Sequence, residues 1–169
     1  QAGLDSLDSM NLVLEVETRT GIIGMGYLFS FRPGLRTVAV ALEETILPRV
    51  IGKDATAVEA IWTDLWRATA TYNRGGIVTM AMSALDIALW DAIGKRANLP
   101  LHRLWGHYRS QIQTYGSGCF RGSGGDGMIA KALHYKSQGY KAIKMQVADT
   151  GNPRGDIDNV RRMREALGP

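Results

Sequence analysis

The chain has 169 residues, of which 45% are hydrophobic and 21% charged, fractions typical of globular proteins. A chain of this length can bury about 70% of its unfolded surface, so we expect neither a disulfide-dependent mini-protein nor a wholly disordered chain. The formal net charge is +4, and the positively charged residues are scattered along the chain except for Arg161, Arg162 and Arg164. This distribution argues against a nucleic-acid or membrane-surface partner. The single cysteine, Cys119, cannot form an internal disulfide and favours a reducing, cytoplasmic setting.

The N-terminal part begins with a predicted hairpin. Residues 12–18 and 22–29 favour two strands, with a turn at 19–21 between them. Because two strands alone are only marginally stable, a third strand before Asn11 would suit the sheet. Residues 1–10 show no pattern strong enough to assign that strand.

Two amphipathic helices are predicted next. Apolar residues recur every three or four positions over residues 35–47, and Pro48 predicts the end of that helix. Thr56 and Glu59 have the spacing of a capping box, so we expect the second helix to begin there.

Residues 77–97 predict a third helix, which is apolar on most sides and therefore typical of a buried central helix. Asp86 and Asp91 within it must then be paired or solvated. These two acids interrupt the longest apolar stretch, residues 75–85, before it reaches the roughly 20 residues that span a bilayer. We therefore expect no membrane segment.

After Pro100 the hydrophobic period changes to a β-α-β-α run, which is typical of a parallel sheet covered by helices. The predicted segments are residues 111–117, 128–138, 140–147 and 153–167. The chain therefore divides into an α+β domain at 1–108 and the opening of an α/β domain at 109–169. It starts in a polar stretch and stops directly after a helix, so we interpret it as a fragment.

The last predicted strand has two chemically different faces. Ile143, Met145 and Val147 alternate with Lys144 and Gln146, and the apolar set can pack under the flanking helices. Lys144 and Gln146 then lie on the opposite face, near the carboxyl end of the strand. In a closed β/α barrel that face is the interior and that end holds the active site. In an open sheet Lys144 is merely solvated, and the strand pattern does not decide between the two.

A glycine-rich segment between a predicted strand and helix offers a different interpretation. Gly122, Gly124 and Gly127 fit the spacing of a dinucleotide-binding loop, and Asp149 follows about 20 residues later. However, residues 111–115 are too polar for the buried first strand of such a fold. A flexible loop is the preferred interpretation.

Two further groups of residues were considered for a functional role. His102, His107 and His134 do not have metal-ligand spacing, and we interpret them as structural or solvated. Arg32 follows the hairpin in an aromatic-rich loop, which could close over a ligand or serve as an ordinary connection.

Three segments carry a resemblance to a known family. Residues 84–94, together with residues 99–106, resemble the signature of the mandelate racemase and muconate-lactonizing branch of the enolase superfamily. Residues 21–29 resemble the hairpin of its capping domain, and residues 139–144 resemble its second barrel strand. The resemblance implies an α+β capping domain followed by a modified TIM barrel, of which two β/α units are present.

The resemblance also implies a chemistry. In that family a magnesium ion holds the carboxylate of a small-molecule substrate, a base removes the proton α to it, and the metal stabilises the resulting enediolate. The family's metal ligands are acidic residues on the third to fifth barrel strands, which this sequence does not contain, so no metal ligand is named. The family commonly forms symmetric oligomers, which implies a homo-oligomer for this chain as well.

By resemblance, Lys144 matches the first lysine of a Lys-x-Lys pair and would lie against the substrate carboxylate. Gln146 occupies the second position and cannot act as a general base, because an amide does not accept a proton near neutral pH. We therefore expect a sugar-acid dehydratase that uses one base, with a 2-hydroxy-acid racemase or epimerase, or an inactive fragment, as alternatives. The loop after the hairpin is expected to contact substrate through Tyr27, Phe29, Phe31 and Arg32.

Overall fold

The computed structural model describes residues 2–7, 11–30, 34–73, 75–148 and 151–168. Its contacts divide the chain into two compact units, unit 1 at residues 1–108 and unit 2 at residues 109–169.

Unit 1 opens with a three-stranded antiparallel sheet in the order β1-β2-β3. The strands are β1 (Ala2–Leu7), β2 (Asn11–Glu17) and β3 (Ile23–Phe29). The predicted hairpin is confirmed, and a third strand pairs with it as the stability argument required. Leu12 and Leu14 of β2 are fully buried, so the inner face of the sheet forms one wall of the core.

The first helical segment runs further than predicted. Helix α1 (Leu35–Ala41) leads into a π-helical turn (Leu42–Ile46) and a short helix α2 (Leu47–Val50). The expectation that Pro48 ends the helix is wrong. Pro48 lies in the first turn of α2, where its missing N–H costs little because the preceding turn already departs from α-helical hydrogen bonding.

Helix α3 (Val58–Ala68) begins without the predicted capping box. The Thr56 hydroxyl donates to Oδ1 of Asp54 at 2.8 Å, and the Thr56 backbone N–H donates to the same oxygen at 2.9 Å. The hydroxyl is thus used in the preceding turn, as Asp and Thr side chains often are, and Ala57 is the N-cap.

Helix α4 (Ile77–Ala97) is the predicted central helix. By length and composition it could cross a bilayer, which differs from our expectation that no segment reaches that length. Five of its buried residues belong instead to the core of unit 1, which is the behaviour of a core helix. These residues are Ala81, Met82, Ala84, Leu85 and Leu89.

Strand β3 approaches α4 unusually closely. A Cβ atom built on Gly26 would collide with the backbone oxygen of Ala84, and one built on Gly24 would collide with that of Ala88. Small residues on both elements therefore allow the strand backbone to lie directly on the helix backbone.

The outer edge of β3 is also held by α4. The Met25 N–H donates to Oδ2 of Asp91 at 2.8 Å, and the Lys95 ammonium donates to the Ile23 carbonyl at 2.8 Å. Asp91 and Lys95 form an ion pair at 2.7 Å. Burial raises the pKa of Asp91, but the hydrogen bonds from Lys95 and Met25 outweigh it and hold that pKa below its usual value.

The pKa of Asp86 in α4 is shifted in the opposite direction. Partial burial raises its pKa, and the nearby carboxylate of Glu59 raises it further. The expectation that both acids are paired or solvated therefore holds for Asp91, while Asp86 is half-buried next to a like charge.

A buried polar network joins α3 to α4. The amide nitrogen of Asn73 donates to the Thr69 hydroxyl at 3.1 Å, and its amide oxygen accepts from the Thr79 hydroxyl at 2.8 Å. Thr69 and Asn73 are fully buried. The network therefore depends on each partner, because a buried polar group left without one is costly.

Unit 2 consists of two β/α repeats. The elements are β4 (Gly116–Cys119), a 3₁₀ turn (Arg121–Ser123), α6 (Gly124–Ser137), β5 (Ile143–Met145) and α7 (Pro153–Leu167). A short helix, α5 (Leu101–Leu104), precedes it in unit 1. Strands β4 and β5 are parallel neighbours, as the β-α-β-α pattern predicted.

Three boundaries in unit 2 differ from the predictions. The strand expected at 111–117 begins only at Gly116, because residues 111–115 are exposed and their polar side chains gain nothing from the sheet. The strand expected at 140–147 is confined to Ile143–Met145, and the helix expected from Met128 begins at Gly124. Helix α7 has the predicted bounds.

The core of unit 2 lies between the strands and both helices. Cys119, Met128, Ala132 and Met163 are buried together, with Ile143 and Met145 packed against them. This confirms that Ile143 and Met145 face the helices. Val147 does not join them, because it is 45% exposed beyond the end of β5.

Candidate functional site

The carboxyl ends of β4 and β5 lie side by side, since the two strands are parallel. Ser117 pairs with Lys144 in the ladder, and the Gln146 N–H donates to the Cys119 carbonyl at 2.9 Å. Ser117, Lys144 and Gln146 are exposed, whereas Cys119 and Met145 contribute to the core. The polar side chains therefore lie on the face that the helices leave uncovered.

The ammonium group of Lys144 lies 5.9 Å from the centroid of the Tyr115 ring, at the outer limit of a cation–π contact. Among the described residues, no carboxylate forms an ion pair with it. Because the Lys144 side chain is exposed, its charge can reach an anionic ligand on the uncovered face.

Gln146 is held by the loop after β4. Its Oε1 accepts a hydrogen bond from the backbone N–H of Arg121 at 3.3 Å. The Arg121 guanidinium donates to the Ala148 carbonyl at 2.8 Å. Ala148 has a φ of 72°, a left-handed conformation that is uncommon for a residue with a side chain and is often found at functional sites.

Cys119 is a buried residue of β4 beneath this edge. Burial raises the pKa of its thiol, and the positive charge of Lys131 offsets only part of that effect. The thiol is therefore protonated near neutral pH and acts as a small apolar core residue.

The other predicted site residues are in unit 1 or outside the described residues. Tyr27 is 61% exposed and Phe29 is 47% exposed on β3. Phe31 and Arg32 lie outside the described residues. Their expected contact with substrate stays a prediction.

Sequence reasoning missed Arg121 as a member of this site. The available signal was its position directly after the first strand of a β/α repeat, where such folds place functional groups. Its contacts with Gln146 and Ala148 join residues 25 and 27 positions apart, which no local pattern encodes.

The remaining candidates, apart from Asp149, lie within the described residues. Gly124 begins α6 with a φ of 67°, Gly127 lies within the helix, and Asp149 is outside the described residues. The rings of His102 and His107 approach to 5.3 Å between centroids. In the part of the chain that the structure describes, no group of three or more His, Cys, Asp or Glu residues is arranged to hold a metal ion.

Comparisons with known proteins agree with this architecture. The family model of the mandelate racemase / muconate lactonizing enzyme N-terminal domain matches residues 5–106. The chain is 34% identical over 164 residues to the 3,6-anhydro-alpha-L-galactonate cycloisomerase of Streptomyces coelicolor, covering 96% of this chain and 45% of that protein. It is 34% identical over 158 residues to the L-talarate/galactarate dehydratase of Salmonella typhimurium, covering 93% and 39%.

Solved structures show the same fold. The crystal structure of the Salmonella typhimurium dehydratase, liganded with Mg and L-lyxarohydroxamate, has a TM-score of 0.82 at 33% identity and covers 94% of this chain and 40% of its own. A racemase from Streptomyces coelicolor A3(2) with bound magnesium has a TM-score of 0.83 at 32% identity, covering 99% and 50%.

The chain spans between 39% and 50% of the length of these relatives. It belongs to the mandelate racemase / muconate lactonizing enzyme family of the enolase superfamily, and it carries the family's α+β capping domain and the beginning of its modified TIM barrel.

Proposed function

We propose that the whole protein is a magnesium-dependent enzyme that removes the proton α to a carboxylate, and that it acts as a sugar-acid (aldonate or aldarate) dehydratase. The observation that carries this proposal is the pair Lys144 and Gln146 at the carboxyl end of β5, where a cation is followed by an amide instead of a second base. The names of the relatives, which include dehydratases of talarate, galactarate and D-mannonate, support the same class.

Dehydration has chemical requirements that this pair suits. A base removes the α-proton, the bond from the neighbouring carbon to its hydroxyl breaks, and an acid protonates the departing oxygen to form water. The enol that remains rearranges to a 2-keto acid. One base on one face of the substrate is sufficient, whereas a racemase with a base on each face would need a proton acceptor where Gln146 stands.

Lys144 is proposed to stabilise negative charge on the substrate carboxylate. The α-proton is very weakly acidic because its removal places a second negative charge next to the carboxylate. An ammonium group placed next to the substrate carboxylate lowers that cost.

Magnesium is part of the proposal for the whole protein. The described residues do not fit a magnesium site, because they contain no group of three acidic, histidine or cysteine side chains. The proposed roles of Lys144 and Gln146 do not depend on a metal position, and the ligands are assigned to parts of the enzyme other than this chain.

Several features of the whole protein belong to the same proposal. Tyr27 and Phe29 at the end of β3, together with Phe31 and Arg32 after it, select substrate, with Arg32 pairing with an anionic or hydroxylated group. Residues 1–108 act as the capping domain and residues 109–169 as the first two barrel units. The enzyme is a soluble cytoplasmic homo-oligomer.

The test is an activity assay on the whole protein with a panel of aldonates and aldarates in the presence of magnesium. We expect loss of water, detected as a 2-keto acid, and its abolition by a chelator. Inversion at the α-carbon without loss of water would instead establish a racemase or epimerase. A folded protein with neither activity would indicate a non-catalytic member of the family.

Variants of the site give a second test. Lys144→Ala is expected to lower turnover by about 100-fold, as loss of one transition-state charge partner typically does. Gln146→Ala should cost much less turnover, and Lys141→Ala, an exposed lysine on the same segment, serves as the matched control. Equal, small effects of the Lys144 and Gln146 changes would remove both residues from the site.

A further inference from the structure

We propose that Arg121 is a positioning residue that fixes the side-chain amide of Gln146, so that Gln146 offers its nitrogen to the substrate as a hydrogen-bond donor. The inference rests on the proposed function and deepens it, because it names the atom of Gln146 that meets the substrate and the residue that orients it.

The orientation follows from the chemistry of the contact. The backbone N–H of Arg121 can only donate, so the atom of Gln146 that faces it at 3.3 Å must be the amide oxygen. The amide nitrogen then points away from Arg121 with two N–H donors. A side-chain amide without such a contact could present either its oxygen or its nitrogen to a ligand.

Arg121 is itself held in place at this edge. It begins the 3₁₀ turn that follows β4, and its guanidinium donates to the Ala148 carbonyl at 2.8 Å. The Gln146 N–H also donates to the Cys119 carbonyl at 2.9 Å. Three hydrogen bonds thus connect Cys119 and Arg121 to residues 146–148, and one of them is made by the Gln146 side chain.

The ligand group that this arrangement suits is an oxygen atom that accepts hydrogen bonds. Two N–H donors suit a carboxylate or hydroxyl oxygen of a hydroxy acid, and Lys144 on the same face suits the negative charge. Gln146 in this role binds and orients substrate, whereas proton transfer is left to other groups.

The first experiment compares two substitutions of Gln146 in the whole enzyme. Gln146→Glu keeps an oxygen acceptor for the Arg121 N–H but removes the donors, whereas Gln146→Met removes both. We expect KM for the sugar acid to rise in both variants, by about fivefold or more, the typical value of one hydrogen bond. A Gln146→Glu variant with wild-type KM and turnover would overturn the proposal, because a purely structural acceptor role is preserved in it.

The second experiment isolates the backbone donor. Arg121→Pro removes the N–H, and the first position of a helical turn accepts proline. Arg121→Ala keeps the N–H and loses only the guanidinium contact. We expect KM to rise several-fold more in Arg121→Pro than in Arg121→Ala, with the exposed Arg154→Ala as the substitution control. Equal KM values in the two Arg121 variants would contradict the positioning role.

An NMR measurement separates this inference from the proposed function. In protein labelled with ¹⁵N-glutamine, the side-chain NH₂ signals of Gln146 are identified by their loss in Gln146→Glu. We expect them to shift toward the values of a free glutamine in Arg121→Pro and to stay near the wild-type position in Arg121→Ala. Unchanged signals in a folded Arg121→Pro variant would refute the contact. Shifted signals in a protein without dehydratase activity would support the contact and refute the proposed function.

Discussion

The close approach of β3 to α4 gives the sharpest prediction about stability. Gly26→Ala adds a methyl group whose position collides with the backbone oxygen of Ala84 and lies 3.0 Å from the Ala84 carbonyl carbon and from the Ala88 nitrogen. All three are backbone atoms of the central helix, so no side-chain rotation can relieve the overlap. The sheet or α4 must move.

The magnitude follows from two opposing effects. Burying one methyl group contributes about 0.8 kcal/mol, and replacing glycine by alanine in a strand recovers about 0.5–1 kcal/mol of chain entropy. Overpacking costs typically about 1–3 kcal/mol and more when backbone must shift. Because backbone must shift, we expect a cost just above that range, about 3–4 kcal/mol, against a combined gain of about 1.3–1.8 kcal/mol. The free energy of unfolding should therefore fall by about 2 kcal/mol, which corresponds to about 8–16 °C in Tm for a unit of this size.

The assay is urea unfolding followed by circular dichroism, with Gly122→Ala as the control. A Cβ on Gly122 meets no atom within 4 Å, and its φ is not in the left-handed region, so that variant should match the wild type within about 0.5 kcal/mol. Ala84→Gly should not rescue Gly26→Ala, because the collision is with backbone rather than with the Ala84 methyl. A Gly26→Ala variant as stable as Gly122→Ala would refute the packing argument.

Three further variants test the electrostatics and the buried network. The folded-state pKa of Asp91 is lowered, so Asp91→Asn should destabilise at pH 7 by about 1 kcal/mol, and the difference should vanish as the pH falls through that lowered pKa in acid denaturation curves. In the folded protein the pKa of Asp86 is raised above its usual value of 3.8, so the charged carboxylate opposes folding at pH values above 3.8. Asp86→Asn should therefore raise the urea midpoint at pH 7 but not below pH 3.8. A lower midpoint at pH 7 would contradict the direction of this pKa shift. Asn73→Ala leaves the buried Thr69 and the Thr79 hydroxyl without their amide partner and should cost about 1–3 kcal/mol; thermal unfolding within about 1 °C of wild type would exclude the network from stability.

The sequence predicted elements well where the signals are local. Helix α7 has its predicted bounds because Pro153 and Gly168 mark its two ends, and α4 follows from a segment that is apolar on most sides. Strand β4 was misplaced because its position depends on contacts far along the chain. Tyr135 of α6 lies against Gly116, where a Cβ would meet its ring, and the Tyr135 hydroxyl donates to the Ser117 carbonyl.

The candidate site, like the fold, was predictable from the sequence only where the signal is local. Period-two alternation identified the face of Lys144 and Gln146, since Ile143 and Met145 had to reach the core. The role of Arg121 was not predictable, because it depends on how the segments after two parallel strands meet. The left-handed backbone at Ala148, whose carbonyl accepts from Arg121, was likewise not predictable, because alanine rarely adopts it.

The most direct test of the central claim is the reaction of the whole protein with a sugar-acid panel and magnesium in D₂O, followed by mass spectrometry and proton NMR. We predict a 2-keto acid that has lost one water and carries deuterium on the carbon that held the departing hydroxyl, with formation slowed about 100-fold by Lys144→Ala. Deuterium at the α-carbon of an otherwise intact acid, with no loss of water from any member of the panel, would contradict the dehydratase assignment.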